Sequence, residues 1–334
     1  MVARTRRARR PAVAGSGLAL VVIVAFGCSE HSPQLQAPQI QAALVPGEAY
    51  GVATDATSVY WTRDTLGTVM KCTAADCNGT AAVLASDQSY PLDIAVDEAR
   101  VYWATGGNAG TEGAIVSCPI DGGTPTTLAS RQAQVESIAI DAKNVYWTRF
   151  DDESLFMCPK DGCGAGPILL WKGTGVESVG SVSGDGTDLY WGGGPALLEC
   201  AAPGCNGAPV TLVTLASNVG PSGLAVDASD IYWTTVFINS PSTLMRCAKS
   251  DCAGTAVTIA SGPSIWMNVV SDATSLYWTA AKYGSVVRCA KPGCAGGPVT
   301  LASGGPPSDP GSTVAVNATT VYWTTQAGLM SAPK

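Results

Sequence analysis

The sequence predicts an all-β fold, a seven-bladed β-propeller with four antiparallel strands per blade, closed by an N-terminal strand that completes the last blade. Three observations carry this. An aliphatic-Tyr-Trp triplet recurs seven times, ending at Trp61, Trp103, Trp147, Trp191, Trp233, Trp278 and Trp323, at intervals of 42, 44, 44, 42, 45 and 45 residues. Six residues before each Trp stands Asp55, Asp97, Asp141, Asp185, Asp227, Asp272 or Asn317. Between these marks lie short runs of Val, Ile, Thr, Tyr and Trp bounded by Gly, Pro, Asp and Asn, which is strand-and-turn chemistry. A repeat of this length with four such runs matches one propeller blade.

Composition agrees. Of 334 residues only 13% are charged, with 38 Gly and 21 Pro, which excludes a coiled coil or long helical bundle. A hydrophobic fraction of 46% excludes intrinsic disorder.

Residues 1–27 read as a lipoprotein-type signal peptide. Arg4, Arg6, Arg7, Arg9 and Arg10 form a positive start, residues 12–27 are apolar but too short and Gly-rich for a comfortable span, and Cys28 follows as the lipidation site. An uncleaved N-terminal anchor is the alternative. Either way the remainder lies outside the cytoplasm, and Ser29 after the cysteine favours the outer membrane or cell surface, facing periplasm or exterior. Residues 28–38 are polar and without period, a tether, and residues 39–334 form the propeller. Without its five N-terminal arginines the chain has 14 basic and 26 acidic groups, which argues against nucleic-acid binding.

The second unit shows the order within a blade. Ile94 to Val96 is a small aliphatic strand suited to the crowded ring interior, and Asp97 opens a turn. Val101 to Trp103 is the second strand, Ala114 to Cys118 the third and Thr126 to Ala129 the fourth. Neighbouring residues on a strand point to opposite faces, so adjacent Tyr and Trp require both faces to be covered, as between two blades. The seventh unit has a short third strand, Leu329 to Ser331, and no fourth. The run Ile40 to Val45 is expected to supply it and remove an open edge.

Thr62, Thr148, Thr234, Thr279 and Thr324 follow the tryptophans of five units. This pattern resembles the YWTD repeats of low-density lipoprotein receptor propellers over residues 39–334. The family's Asp after Thr does not occur, and that family has six blades, so the resemblance implies fold and not receptor function.

Ten cysteines form five pairs of one spacing: Cys72 with Cys77, Cys158 with Cys163, Cys200 with Cys205, Cys247 with Cys252, and Cys289 with Cys294. Two ligands per blade with no histidine near do not make a structural zinc site, and an oxidising compartment favours local disulfides. Cys118 lacks a partner and is expected to be buried, free or paired between molecules.

His31, in the tether, is the only histidine. The folded part therefore holds no Ser–His or Cys–His pair and no histidine-ligated metal, which also excludes the histidine-dependent lyases sharing this architecture. No cofactor or metal is expected. Asp151-Asp152-Glu153 is the densest acidic cluster, read as a solvated loop with calcium as the alternative. Loops between strands two and three, and between blades, share one variable face, where function usually sits on a rigid scaffold. They carry the candidate binding residues Trp266, Arg63, Arg149, Phe150, Asp151, Arg131 and Tyr283, with Tyr90, Glu136, Lys172, Phe237 and Asn239 beside them. Trp266 lies outside the regular Trp position, just before the first strand of blade 6. The expected function is non-catalytic binding or scaffolding, with an envelope protein or glycan as partner and a monomeric chain. The competing class is a carboxylate-based glycan hydrolase or lyase at the channel mouth. Converging carboxylates with shifted pKa values would favour the enzyme, and exposed aromatics without such a pair the binder.

Overall fold

The computed structural model describes residues 43–106, 112–174, 179–205, 208–216, 219–236, 241–263, 266–280, 284–303 and 313–334. Met1–Ala37 forms one unit of the chain and lies outside these residues, as does Cys28; Pro38–Lys334 forms the other and holds every strand.

Seven four-stranded antiparallel sheets follow one another along the chain. In blade 1 the strands are Val52–Thr54, Ser58–Arg63, Thr68–Thr73 and Ala82–Ala85, from the inside outwards. In blade 3 they are Val135–Ile140, Asn144–Arg149, Ser154–Pro159 and Ile168–Lys172. Blade 7 takes three strands from the C-terminal end, Val314–Val316, Thr320–Thr325 and Gly328–Pro333, and its outer strand from the N-terminal side.

That closing strand differs from expectation. It is only Val45–Pro46, pairing with Leu329 and Gly328, and residues 40–42 lie outside those described. Pro46 offers no N–H, and Gly47 turns the chain away at φ +100°. The neighbouring strand is six residues long rather than three. Gly328 is required at the join, since a Cβ there would stand 2.1 Å from the Val45 carbonyl oxygen.

The Tyr-Trp pairs build seven cores, one per seam between blades. Tyr60 of blade 1 packs with Trp103 of blade 2, Tyr102 with Trp147, and Tyr146 with Trp191. Tyr190 joins Trp233, Tyr232 joins Trp278, Tyr277 joins Trp323, and Tyr322 meets Trp61 to close the ring. All seven indoles are buried, so each seam removes two large aromatic rings from water.

One face of the ring is locked by a repeated device. The Asp Oδ1 of each turn accepts the backbone N–H groups two and three residues on, at 2.8–2.9 Å for Asp227 with Ser229 and Asp230, and for Asp272 with Thr274 and Ser275. In five blades Oδ2 accepts the Tyr hydroxyl five residues on, as Tyr102 to Asp97 at 3.1 Å and Tyr277 to Asp272 at 3.0 Å, whereas the Tyr232 hydroxyl makes no such bond. At four seams a lysine from the next blade completes the clasp. Lys160 reaches Asp97 and Lys249 reaches Asp185, both at 2.6 Å, Lys334 reaches Asp272 at 2.7 Å, and Lys291 bonds Asp227. Each Nζ also lies 5.1–5.5 Å from the centroid of the Tyr ring in that clasp.

Burial works to raise these carboxyls, yet the hydrogen bonds win. Asp185 and Asp272 are held well below the usual range and Asp227 falls to about 2, chiefly through their lysines. Where blade 7 has Asn317 in place of Asp, blade 1 has Ala74 in place of Lys, and the Tyr322 hydroxyl donates to the Ala74 carbonyl at 3.5 Å instead.

The five cysteine pairs are disulfides on this same face. Cys72 bonds Cys77, Cys158 bonds Cys163, Cys200 bonds Cys205, Cys247 bonds Cys252, and Cys289 bonds Cys294. Each ties the third strand to the turn that follows, but the turns differ. Cys77 and Cys252 open single helical turns, capped by the Asp76 and Asp251 side chains. Cys163 and Cys205 lie in irregular turns and are only partly buried, whereas Cys294 is buried at φ +56°. Cys118 is free and buried, and burial pushes its thiol pKa up. Its Sγ faces the carbonyl of Gly123 at 3.5 Å, in the turn where other blades place the second cysteine.

Candidate functional site

The opposite face carries the loops that vary between blades. Among the described residues its exposed large apolar side chains lie on blades 1 to 3: Leu66, Tyr90 and Phe150 are 58, 46 and 50% exposed. Tyr90 sits in the loop entering blade 2 with φ +53°, its carbonyl accepting the Gly106 N–H at 2.8 Å. Phe150 follows the second strand of blade 3, and its N–H donates to Gln134 O at 2.9 Å. Two buried indoles pin these loops from beneath. Trp103 Nε1 donates to Gln88 at 3.1 Å and Trp147 Nε1 to Gln132 at 3.0 Å.

Between these loops the inner strands begin, and those of blades 2 to 6 start with a β-bulge. In blade 2, Leu92 and Asp93 together oppose Ala104; in blade 3 the extra residue is Glu136. A bulge re-aims side chains that a regular strand would send alternately to either face. Here it brings two carboxylates to the seam between blades 2 and 3.

Asp93 has a structural task. In other blades a Thr after the Trp bridges to the next blade: Thr62 Oγ1 donates to Leu92 O at 2.6 Å and Thr148 Oγ1 to Gly180 O at 3.0 Å. Blade 2 has Ala104 in that place. Asp93 spans the seam instead, accepting from Ile94 N at 3.0 Å and from Ile138 N of blade 3 at 2.9 Å. Burial pushes its carboxyl up to about 6, against the pull of these N–H groups and the Ser137 hydroxyl. Glu136 is exposed to solvent but surrounded by protein on its inner strand. Its carboxyl is raised too, by burial first and by the charge of Asp93 second.

The sequence-predicted residues separate into groups. Phe150 and Arg131 are exposed on the variable face, Arg131 with φ +59°. Arg63 is turned to a structural use: its Nη2 donates to Pro46 O at 2.9 Å and holds the closing strand. Arg149 pairs with Asp151 at 3.1 Å and Asp152 at 3.5 Å, and lies 5.4 Å from the Phe156 ring centroid. The acidic loop is thus an ion-paired knot, which Lys172 joins through Asp152 at 3.9 Å. Trp266 begins the inner strand of blade 6, opposite Ala280, rather than preceding it. Glu136 likewise belongs to a strand and not to a loop. Tyr283, Phe237 and Asn239 lie outside the described residues.

Asp93 was missed by sequence reasoning, though a signal existed. At the same offset from Trp the other units carry Gly51, Ser137, Ser181, Gly223, Asn268 and Thr313, and only unit two has a charge.

No protein-family model matches the chain, and no curated protein matches it in sequence. The fold is similar to solved propellers. A nidogen/laminin complex structure matches at 20% identity and TM-score 0.55, over 75% of this chain and 93% of that one. Virginiamycin B lyase from Staphylococcus aureus matches at 11% and 0.68, over 85% and 94%. The extracellular domain of a putative one-component system from B. thetaiotaomicron matches at 9% and 0.65, over 88% and 40%. Identities this low carry the fold alone, and these structures span binding and enzymatic functions: the chain is a seven-bladed β-propeller.

Proposed function

We propose that this is an exported, lipid-anchored propeller of the cell envelope, and that it binds a glycan without chemistry on the variable face of blades 2 and 3. The observation that carries this is the pair of half-exposed rings, Tyr90 and Phe150, held beside the inner-strand starts of these blades. Aromatic faces stack on pyranose rings, and a preformed surface loses little entropy on binding. Five disulfides support an oxidising compartment.

A second reading has its own observation. Asp93 and Glu136 are the neighbouring carboxylates with raised pKa that an acid–base mechanism requires. Against it, Asp93 is already held by donors from both blades. The test is an envelope-glycan array probed with residues 34–334 and with a Tyr90→Ala/Phe150→Ala double variant. Saturable binding lost in the double variant is the expected result. No binding, or binding indifferent to both changes, overturns the reading. Release of new reducing ends, abolished by Glu136→Gln, would establish the second reading instead.

A further inference from the structure

We infer that the ligand of this face is cationic, a glycan of amino sugars whose amines are free rather than acylated. The inference rests on the glycan reading above and adds the ligand's charge.

The argument is one of complementarity. Several carboxylates of the described surface meet donors or cations. Asp151 and Asp152 meet Arg149, Glu48 accepts the Leu66 N–H at 2.9 Å, and the turn aspartates of four blades hold lysines. Glu136 has no ion-pair partner among the described residues, and neither has Asp93. Asp93 reaches the Ile138 N–H, two residues along the strand from Glu136, so the two carboxylates flank one seam and repel each other. Two like charges set among protein walls, with no ion-pair partner among the described residues, create a local field that draws a cation from solution.

The aromatic rim is an independent observation leading to the same class of ligand. Tyr90 lies three residues before Asp93, and Phe150 is hydrogen-bonded to Gln134, two residues before Glu136. The exposed rings thus flank the two segments that carry the carboxylates. An ammonium group suits both, since aromatic faces attract cations as carboxylates do. A neutral sugar would use the rings and leave Glu136 uncompensated. An acidic glycan would be repelled. An amino sugar matches ring to ring and ammonium to carboxylate.

The test is calorimetric titration of the full chain with glucosamine oligomers and with N-acetylglucosamine oligomers of equal length, at low and high salt. A lysine-rich peptide is the third arm. The expected result is at least tenfold tighter binding of the free-amine oligomer, a preference lost in high salt and in Glu136→Gln. Tyr90→Ala should weaken both oligomers alike. Thermal melting checks that each variant is folded. Equal affinity for the two oligomers, or preference for the acetylated one, overturns the charge inference and leaves glycan binding standing. Binding of the peptide alone, or of nothing, overturns the glycan reading and this inference with it.

Discussion

At the seam between blades 2 and 3, Ala104 lacks the hydroxyl that Thr62 and Thr148 use to bridge other seams, and the Asp93 carboxyl crosses instead. The substitution has a consequence for pH. Asp93 titrates near 6 in the folded chain, above an unfolded Asp near 3.9, so the native state binds more protons between those values. Stability from this group therefore rises as pH falls from about 6 to about 4. Glu136 and Glu199, also raised, add to the same limb. Asp93→Asn should make that limb shallower in thermal melts across pH 3–8, and an unchanged slope would refute the assignment. The turn aspartates act with the opposite sign. Their folded values are depressed, so their contribution is full above about pH 4 and is lost as pH falls through the folded values. Maximum stability is expected between pH 4 and 6.

Within the blade, the strands, turns and staples were legible because each is written locally. Asp227 serves Ser229 and Asp230, and Cys247 meets Cys252 five residues on. The lysine clasp was not read, although Lys160, Lys249 and Lys291 each stand two residues after the first cysteine of a pair. Its partners lie 62 to 64 residues upstream, one and a half repeats away, and that offset becomes meaningful only once the blades are placed side by side. The site was illegible for a related reason. Bulges at Leu92-Asp93 and Glu136 move residues off the period-2 alternation that sequence patterns detect. Arg63 and Arg149 looked free because their partners, Pro46 O and the Asp151–Asp152 loop, depend on closure and turn geometry. Lys249→Met should cost about 1 kcal/mol at neutral pH, the scale of a well-placed ion pair with a ring beneath it. Replacing Cys247 and Cys252 by Ser should cost about 2 kcal/mol through the lost six-residue loop constraint. Urea titrations check both.

Across the whole ring, stability is distributed among seven equivalent seams, each resting on one buried Trp. Trp233→Ala should cost about 3–5 kcal/mol, as large-to-small core changes do, and an effect below about 1 kcal/mol in urea titration would contradict the packing described. The seams are not equal in their polar locks, however. Lys71 of blade 1 reaches Ile120 O of blade 2 at 2.7 Å, and Lys160 ties blade 3 to blade 2. Lys249, Lys291 and Lys334 tie blades 4 to 7 in sequence. Among the described residues no lysine crosses from blade 3 to blade 4 or from blade 7 to blade 1. The lysines thus divide the circle into two arcs, blades 1 to 3 and blades 4 to 7, like the halves of a bracelet, and the seams between the arcs rely on bonds such as Thr148 to Gly180 O and Arg63 to Pro46 O. Tyr90, Asp93, Glu136 and Phe150 all ride on the shorter arc. The four groups therefore sit on blades whose mutual seams are all held by lysines.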